Sequence, residues 1–398
     1  LLHPSTCRWK LQVHPHNTLD PHHQPSNGVD TFSGGGRKQP TRGRSDTGPN
    51  RTVVSSAEAT ETNVAQCRCL PVAEEAMKAV QWMDVFLFAC GMAMVLPVVK
   101  PASSTCSALE YDCQRELLAE ELAPLFQPLR PDHETTAFLQ MCESQAWTYR
   151  AKRYARNKLK RFLMKFMSQT DALGYIGGGR MHVFSEKQVG ELLNMTVEDQ
   201  RKKTLLDVGA GEGGVTAKFV PYFEHIVATE HSMSMVRRLE RKKKFTKVLQ
   251  MSHIDVDVLR KEAVSNNISL NDGKHFEAVT LLNVLDRCDA PISLMKQVKE
   301  VLDPVEGRLI VAVVLPFRPV VQDGRKKRSP IEKVKLRKVK GWEKSVNAIN
   351  EELFKPLGFV IERIAKLPYL SEGNSRKSFY MLDDAIFVLR AQQMKGQV

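Results

Sequence analysis

The sequence has no C-x-x-C pair and no histidines spaced to complete one, which excludes a zinc site of the usual paired kind. Of its eight cysteines, Cys7, Cys67, Cys69, Cys90, Cys106, Cys113, Cys142 and Cys288, only Cys106 and Cys113 are placed to pair in an oxidising compartment. Cys288 reads as a small buried hydrophobe. Aromatic residues are scarce, at 7%, and Gly and Pro crowd the first fifth, so the ordered part is expected to be smaller than the whole. Acidic residues are also in deficit. The formal charge of +13 permits acidic partners, although the basic runs Arg201–Lys203, Arg237–Lys244, Arg325–Arg328 and Lys333–Lys340 also suit solvated faces.

No methionine precedes Met77, and residues 1–76 lack apolar periodicity. They are expected to be a disordered leader, with the native start further along. Residues 77–104 change character: Lys78 is followed by the mostly apolar run Val80 to Val99, then by Ala102, Ser103 and Ser104. This resembles a signal peptide or signal anchor, with membrane contact through 80–99 and residence in the endoplasmic reticulum or another endomembrane compartment. The sequons at Asn194 and Asn267 would then face a glycosylating lumen, and Arg325-Lys-Lys-Arg328 would resemble a convertase site. A buried amphipathic helix over the same residues would leave the chain in the cytoplasm.

The centre of the chain is Thr204 to Glu230, TLLDVGAGEGGVTAKFVPYFEHIVATE. An apolar run is broken by Gly209, Gly211 and Gly213, resumes at helical spacing over Val215 to Phe219, and is followed by a second run ending on Glu230. Strand, glycine turn, helix and strand are expected. Glycines let backbone pass close under a ligand, and an acidic residue at the tip of the second strand can accept from a ribose diol. Gly209, Gly211 and Gly214 also satisfy the G-x-G-x-x-G dinucleotide pattern. Asp207, two residues before the turn and placed to meet a cationic amino-acid end, tilts the reading toward S-adenosylmethionine.

Around this unit, Leu109–Phe126 and His133–Met167 show helical spacing, and Ser185 with Gln188 forms a capping box. Gly174 and Gly177–Gly179 mark a loop. A helix over Ser232–Lys243 and a strand near Val248 precede a polar stretch, 251–274, expected to be an insertion. Phe276–Leu282 and Arg308–Leu315 are buried strands flanking a helix at Ile292–Leu302, with Asp289 its expected cap. Phe359–Ile364 and Phe379–Leu389 form a closing pair with a bend at Leu367-Pro-Tyr-Leu370. The domains expected are a helical region at 105–184, an α/β domain at 185–391 and a tail at 392–398.

With LLDVGAGEGGVT, ATE, LLNVLDRCD, VVLPFRP, LPYLSEG and YMLDDAIFVLR standing in this order, the chain resembles the DREV family of methyltransferases from about Leu109 to Arg390. The resemblance implies a Rossmann-like, seven-stranded class I methyltransferase sheet with an N-terminal helical extension and an antiparallel last strand. It implies transfer of a methyl group from S-adenosyl-L-methionine, leaving S-adenosyl-L-homocysteine, to the pros nitrogen of histidine in His-x-His segments of proteins. It implies cofactor contacts at Glu230, Asn283 and Tyr369, beside Asp207 and the three glycines, with Asn283 and Asp286 reaching toward the imidazole. No metal is needed. The segments 251–274 and 323–340 depart from the family's pattern in length and in charge.

A neutral imidazole already carries a nucleophilic lone pair, so the site must choose the nitrogen rather than supply a strong base. Asp286, accepting the proton on the far nitrogen, would fix the tautomer. Two rivals stand beside this reading: a nucleic-acid or small-substrate methyltransferase, which the absence of an N/D-P-P-Y/F/W signature disfavours, and a catalytically silent cofactor-binding protein. Val13-His14-Pro15-His16 is itself a His-x-His segment and a conceivable self-methylation site.

Overall fold

The computed structural model describes residues 109–144, 147–198, 201–323, 326–374 and 377–392, all within the unit Gln66–Val398. The leader with His14 and His16, the apolar run 80–99, Cys106 and the tail from 393 lie outside the described residues. Among the described residues no helix is long and apolar enough to cross a membrane.

Three helices come first, α1 (His133–Glu143), α2 (Trp147–Leu163) and α3 (Gln169–Ile176), then a two-residue strand β1 (Met181–His182) and α4 (Glu186–Leu193). The alternating part follows: β2 (Lys202–Val208), β3 (Phe223–Glu230), α5 (Met233–Lys242), β4 (Lys247–Gln250), α6 (Val256–Ser265), β5 (Ala278–Leu282), α7 (Pro291–Val301) and β6 (Arg308–Val314). A small hairpin, β7 (Val321–Asp323) with β8 (Lys326–Arg328), leads to α8 (Trp342–Ile349) and the long pair β9 (Phe359–Glu372) and β10 (Phe379–Ala391).

The main sheet has the order β1-β9-β10-β6-β5-β2-β3-β4. Strands β6, β5, β2, β3 and β4 are parallel, and β10 inserts antiparallel between β6 and β9. The last strand thus runs against the parallel strands and β9, and the edge strand β1, antiparallel to β9, raises the expected seven strands to eight. The central strands are continuous apolar runs because alternate side chains enter opposite layers, both of them buried. Leu206, Val279, Leu281, Val311 and Val313 pack with the layer of α6, α7 and α8, while Leu205, Ala278, Ile310 and Ala312 pack with Val189, Phe219 and Phe223.

Several expectations are corrected. Residues 109–126 form only two 3-10 turns, Arg115–Leu117 and Ala123–Leu125, because Pro124 and Pro128 interrupt any helix. Leu118, Leu122 and Phe126 still reach the core. No full helix follows the glycine turn: Thr216–Phe219 is one 3-10 turn, cut short by Pro221 before β3 begins. Gly174 lies inside α3 rather than in a loop, where a Cβ would stand 2.1 Å from Ser234 Oγ of α5. The capping box at Ser185 and Gln188 is formed. Cys113, Cys142 and Cys288 carry free thiols.

The polar stretch 251–274 is no insertion. It is the crossover that two parallel strands require, and α6 within it buries Leu259 and Ala263, with Ile254, Ile268 and Leu270 in the same cluster. Polar residues cover its outer face, which hid the helix from a reading by composition. The closing pair also turns later than expected. Leu367–Leu370 lies within β9, and the chain reverses at 373–378. Pro368 is tolerated there because Asp383, opposite it on β10, turns its carbonyl to the Leu315 N–H instead.

If 251–274 is integral, Leu259→Ala, which empties a site that is 2% exposed, should cost about 2–4 kcal/mol in urea unfolding. A change within about 0.5 kcal/mol is what a dispensable surface insertion would give.

Candidate active site

The glycine turn leaves β2 with Gly209, Gly211 and Gly213 at φ of 76°, 55° and 73°. These are left-handed conformations that favour glycine. At Gly213 a Cβ would also stand 2.5 Å from Leu239, so the turn is pressed onto α5. The N–H groups of Gly209 and Ala210 both donate to the Thr229 carbonyl at 2.9 Å, which ties the turn to the end of β3. Asp207 lies beneath it, 1% exposed, accepting from Thr216 Oγ1 at 2.6 Å and Thr280 Oγ1 at 2.5 Å. Its carboxyl therefore braces the turn from within. Burial pushes it up to about 6, against the two hydroxyls.

Glu230 ends β3 as expected. Its Oε2 accepts the Gly211 N–H at 2.8 Å and its Oε1 the Ser232 N–H at 3.1 Å, leaving each oxygen a lone pair. Ser232 Oγ donates to Asp171 of α3 at 2.6 Å, so the N-terminal helices close over this corner.

The loop after β5 carries the other expected residues. Asn283 continues the sheet through its N–H to the Ala312 carbonyl, then takes φ 58°, a left-handed conformation that asparagine tolerates better than most residues. Its Nδ2 donates to Asp384 Oδ2 of β10 at 2.8 Å, while its Oδ1 is buried without a partner. Asp286 Oδ1 and Asp384 Oδ1 are likewise buried without a hydrogen bond, although Arg287 Nε lies 3.7 Å from Asp286 Oδ1. Orphaned buried oxygens are uncommon and ask for an explanation, and the two on the loop after β5, Asn283 Oδ1 and Asp286 Oδ1, are acceptors suited to a bound donor. Burial raises the Asp286 carboxyl, with Arg287 opposing. Burial, with Asp286 adding to it and the Asn283 N–H opposing, pushes Asp384 up to about 8, so that this carboxyl is neutral at neutral pH.

Tyr369, on β9, joins the two halves. Its hydroxyl donates to Met181 Sδ at 2.7 Å, and Met181 Cε lies 3.7 Å from where a Cβ would stand on Gly211. On the other side the Arg287 guanidinium lies 5.5 Å from the Tyr369 ring centroid. The glycine turn, Glu230, Asn283, Asp286 and Tyr369 are thus connected at the carboxyl ends of the parallel strands. Asp384, Arg287 and Met181 were missed by the sequence reading. Asp384 stood in the quoted block YMLDDAIFVLR, whose unusual acidic pair before an apolar strand was the available signal. Asp289 does not cap α7; it pairs with Arg328, and Glu332 accepts from the Ile292 and Ser293 N–H groups instead. Among the described residues no group of His, Cys, Asp or Glu is arranged to hold a metal.

Residues 110–391 match the DREV methyltransferase family. The chain belongs to that family. Its fold also recurs widely. A SAM-dependent methyltransferase from Leishmania major is 13% identical, with 52% of this chain and 70% of that one covered and a TM-score of 0.34. An S-adenosylmethionine-dependent methyltransferase from Clostridium acetobutylicum ATCC 824 is 14% identical, with 52% and 89% covered and a TM-score of 0.31. At these values the two likenesses carry no argument about the site.

As a DREV methyltransferase this chain uses S-adenosylmethionine. The residues present fit that group: a left-handed glycine turn with no side chains in the way, a carboxylate with free lone pairs at the end of β3, and an unpartnered amide oxygen at Asn283.

The Asp384 carboxyl gives a pH test. Its folded value lies above the unfolded one, so the stability it contributes is complete below about pH 4 and is lost as pH rises toward 8. Asp384→Asn copies the neutral acid and does not titrate. Urea unfolding at pH 6.5 and pH 8 should show wild type losing on the order of 1–2 kcal/mol more than the variant. Parallel losses in both proteins would mean that the carboxyl is already ionised at pH 6.5.

Proposed function

We propose that this DREV methyltransferase methylates the pros nitrogen of histidine in His-x-His segments of protein substrates. The observation that carries the reading is the pair of oxygens without a hydrogen bond, Asn283 Oδ1 and Asp286 Oδ1, buried in the loop after β5, the second with only the Arg287 guanidinium 3.7 Å away. Both are acceptors, so the missing ligand atoms are N–H or O–H donors. A neutral imidazole supplies one such donor while keeping a lone pair on its other nitrogen.

Asp286 accepts the N–H of the tele nitrogen, which fixes the tautomer with the lone pair on the pros nitrogen. When bound, S-adenosylmethionine supplies an electrophilic methyl on a sulfonium, which leaves as a neutral thioether as the pros nitrogen gains the methyl. The ring becomes a cation at that moment, and the Asp286 carboxylate, in a site largely closed to water, stabilises it. The tele proton then passes from the product ring through Asp286 to water. Asn283 holds its amide in one orientation through Asp384 and offers Oδ1 as the second acceptor. Arg287 and Tyr369, stacked on each other, wall the site beside Asp286.

Labelled S-adenosylmethionine and a His-Ala-His peptide should give a product methylated at the pros nitrogen. Asp286→Ala should lower kcat by at least about 100-fold while cofactor affinity measured by calorimetry stays within about threefold. Unchanged turnover in the variant, or a methyl found on the tele nitrogen, would refute the assignment.

A further inference from the structure

Between Leu315 and Trp342 the chain leaves the sheet and forms a strap around the site. It is fixed at successive points to residues of the site or their neighbours. The Leu315 N–H donates to the Asp383 carbonyl at 3.0 Å, and the Val320 N–H to the Asp286 carbonyl at 2.8 Å. Arg328 forks onto the Asp289 carboxylate, Nη2 to Oδ2 at 2.6 Å. The Glu332 N–H donates to the Asp289 carbonyl at 2.9 Å, and Glu332 Oε2 accepts from Ile292 and Ser293 at 2.8 and 2.9 Å. Val334 and Leu336 pack on the core, and the Trp342 indole N–H closes the strap on the Asp384 carbonyl at 3.3 Å. This segment is therefore tied to the loop that carries Asn283 and Asp286.

The same segment concentrates the charge. From Arg318 to Lys344 there are eleven basic and three acidic residues. Two of the acids are committed internally, Glu332 on α7 and Glu343 on the Gln114 N–H. Arg328 and Arg337 are paired, with Asp289 and Glu352. Lys326, Lys327, Lys333, Lys335, Lys338 and Lys340 are exposed, and among the described residues none forms an ion pair. From Lys333 to Leu336 exposed lysines alternate with partly buried apolar residues, the pattern of an extended chain, which sets Lys333 and Lys335 about 7 Å apart on one side. Like charges held this close repel one another, and a counter-charged ligand relieves that repulsion.

We infer that this strap is an exosite for an acidic stretch of the polypeptide substrate, lying beside the target histidine. The inference rests on the protein-histidine reading above. A polypeptide fits better than a nucleic acid because the strap offers no exposed aromatic ring on which bases would stack: Phe317 is half-buried and Trp342 is buried. Arg328 and Arg337, which would fork onto phosphates, are used internally.

The test uses the full chain and two peptides with the same His-Ala-His centre, one flanked by glutamates and one by glutamines. The Glu-flanked peptide should have a KM on the order of tenfold lower at the same kcat, and the K333Q/K335Q/K338Q/K340Q variant should bring the ratio to about one, as should high salt. All four side chains are exposed, so the variant should keep the fold, checked by circular dichroism, and its turnover of the Gln-flanked peptide. Equal KM values in wild type, or a ratio that survives the variant, overturn the exosite and leave the histidine reading standing. If neither peptide is turned over, the chemical reading fails by itself. The strap is then read by fluorescence anisotropy with a Glu-rich peptide lacking histidine: affinity about tenfold weaker in the variant supports it, and equal affinity overturns it. An oligonucleotide that binds more tightly than that peptide and displaces it, the displacement being lost in the variant, assigns the lysines to nucleic acid and also overturns it.

Discussion

The hydrogen bond from Asn283 to Asp384 joins two segments 101 residues apart in the chain, the loop after β5 and the last strand, inside an apolar core. Burying an amide and a carboxyl there costs free energy unless each is satisfied. One bond satisfies part of each group, and Asn283 Oδ1 and Asp384 Oδ1 are left without a hydrogen bond. The bond thus sets which way the Asn283 amide points, and with it which atom is offered to a ligand. Burial raises the Asp384 carboxyl, and the bond from Asn283 opposes that rise.

That bond exists only because β10 inserts between β6 and β9 and runs opposite to the parallel strands. The insertion brings the amino-terminal half of β10, with its acidic pair, to the end of the sheet where the parallel strands finish. The same register places Tyr369 of β9 opposite Leu382 and beside Arg287, so both closing strands contribute to the site. The glycine turn meets them through Met181, the edge strand's single large contact with both Gly211 and Tyr369. A sheet of purely parallel strands would leave the acceptor loop without this wall.

Much of this was legible in the sequence, and the failures have physical causes. The central strands were plain because burial on both faces demands unbroken apolar runs, and the glycine turn because left-handed backbone selects glycine. Glu230 followed from its place at a strand tip. Asp207 was found, but its partners Thr216 and Thr280 were not, since one sequence does not say which hydroxyls a strand's carboxylate will meet. Residues 251–274 were misread because a surface helix shows only a narrow apolar stripe, here Leu259 and Ala263. Asp384 was invisible as a site residue because its partner is remote in sequence, and a carboxylate beside an apolar strand reads locally as its solvent end. The bend was misplaced onto Pro368 because the ladder position that excuses a proline is a property of the pairing.

Selection of one tautomer of the target ring by the buried acceptors on the loop after β5 is the central claim. Nitrogen NMR of a 15N-histidine His-Ala-His peptide bound to the enzyme with S-adenosylhomocysteine reads that tautomer directly. The expected spectrum has a protonated tele nitrogen and a pros nitrogen with the shift of an unprotonated, pyridine-like atom. A proton on the pros nitrogen in the bound state would contradict it.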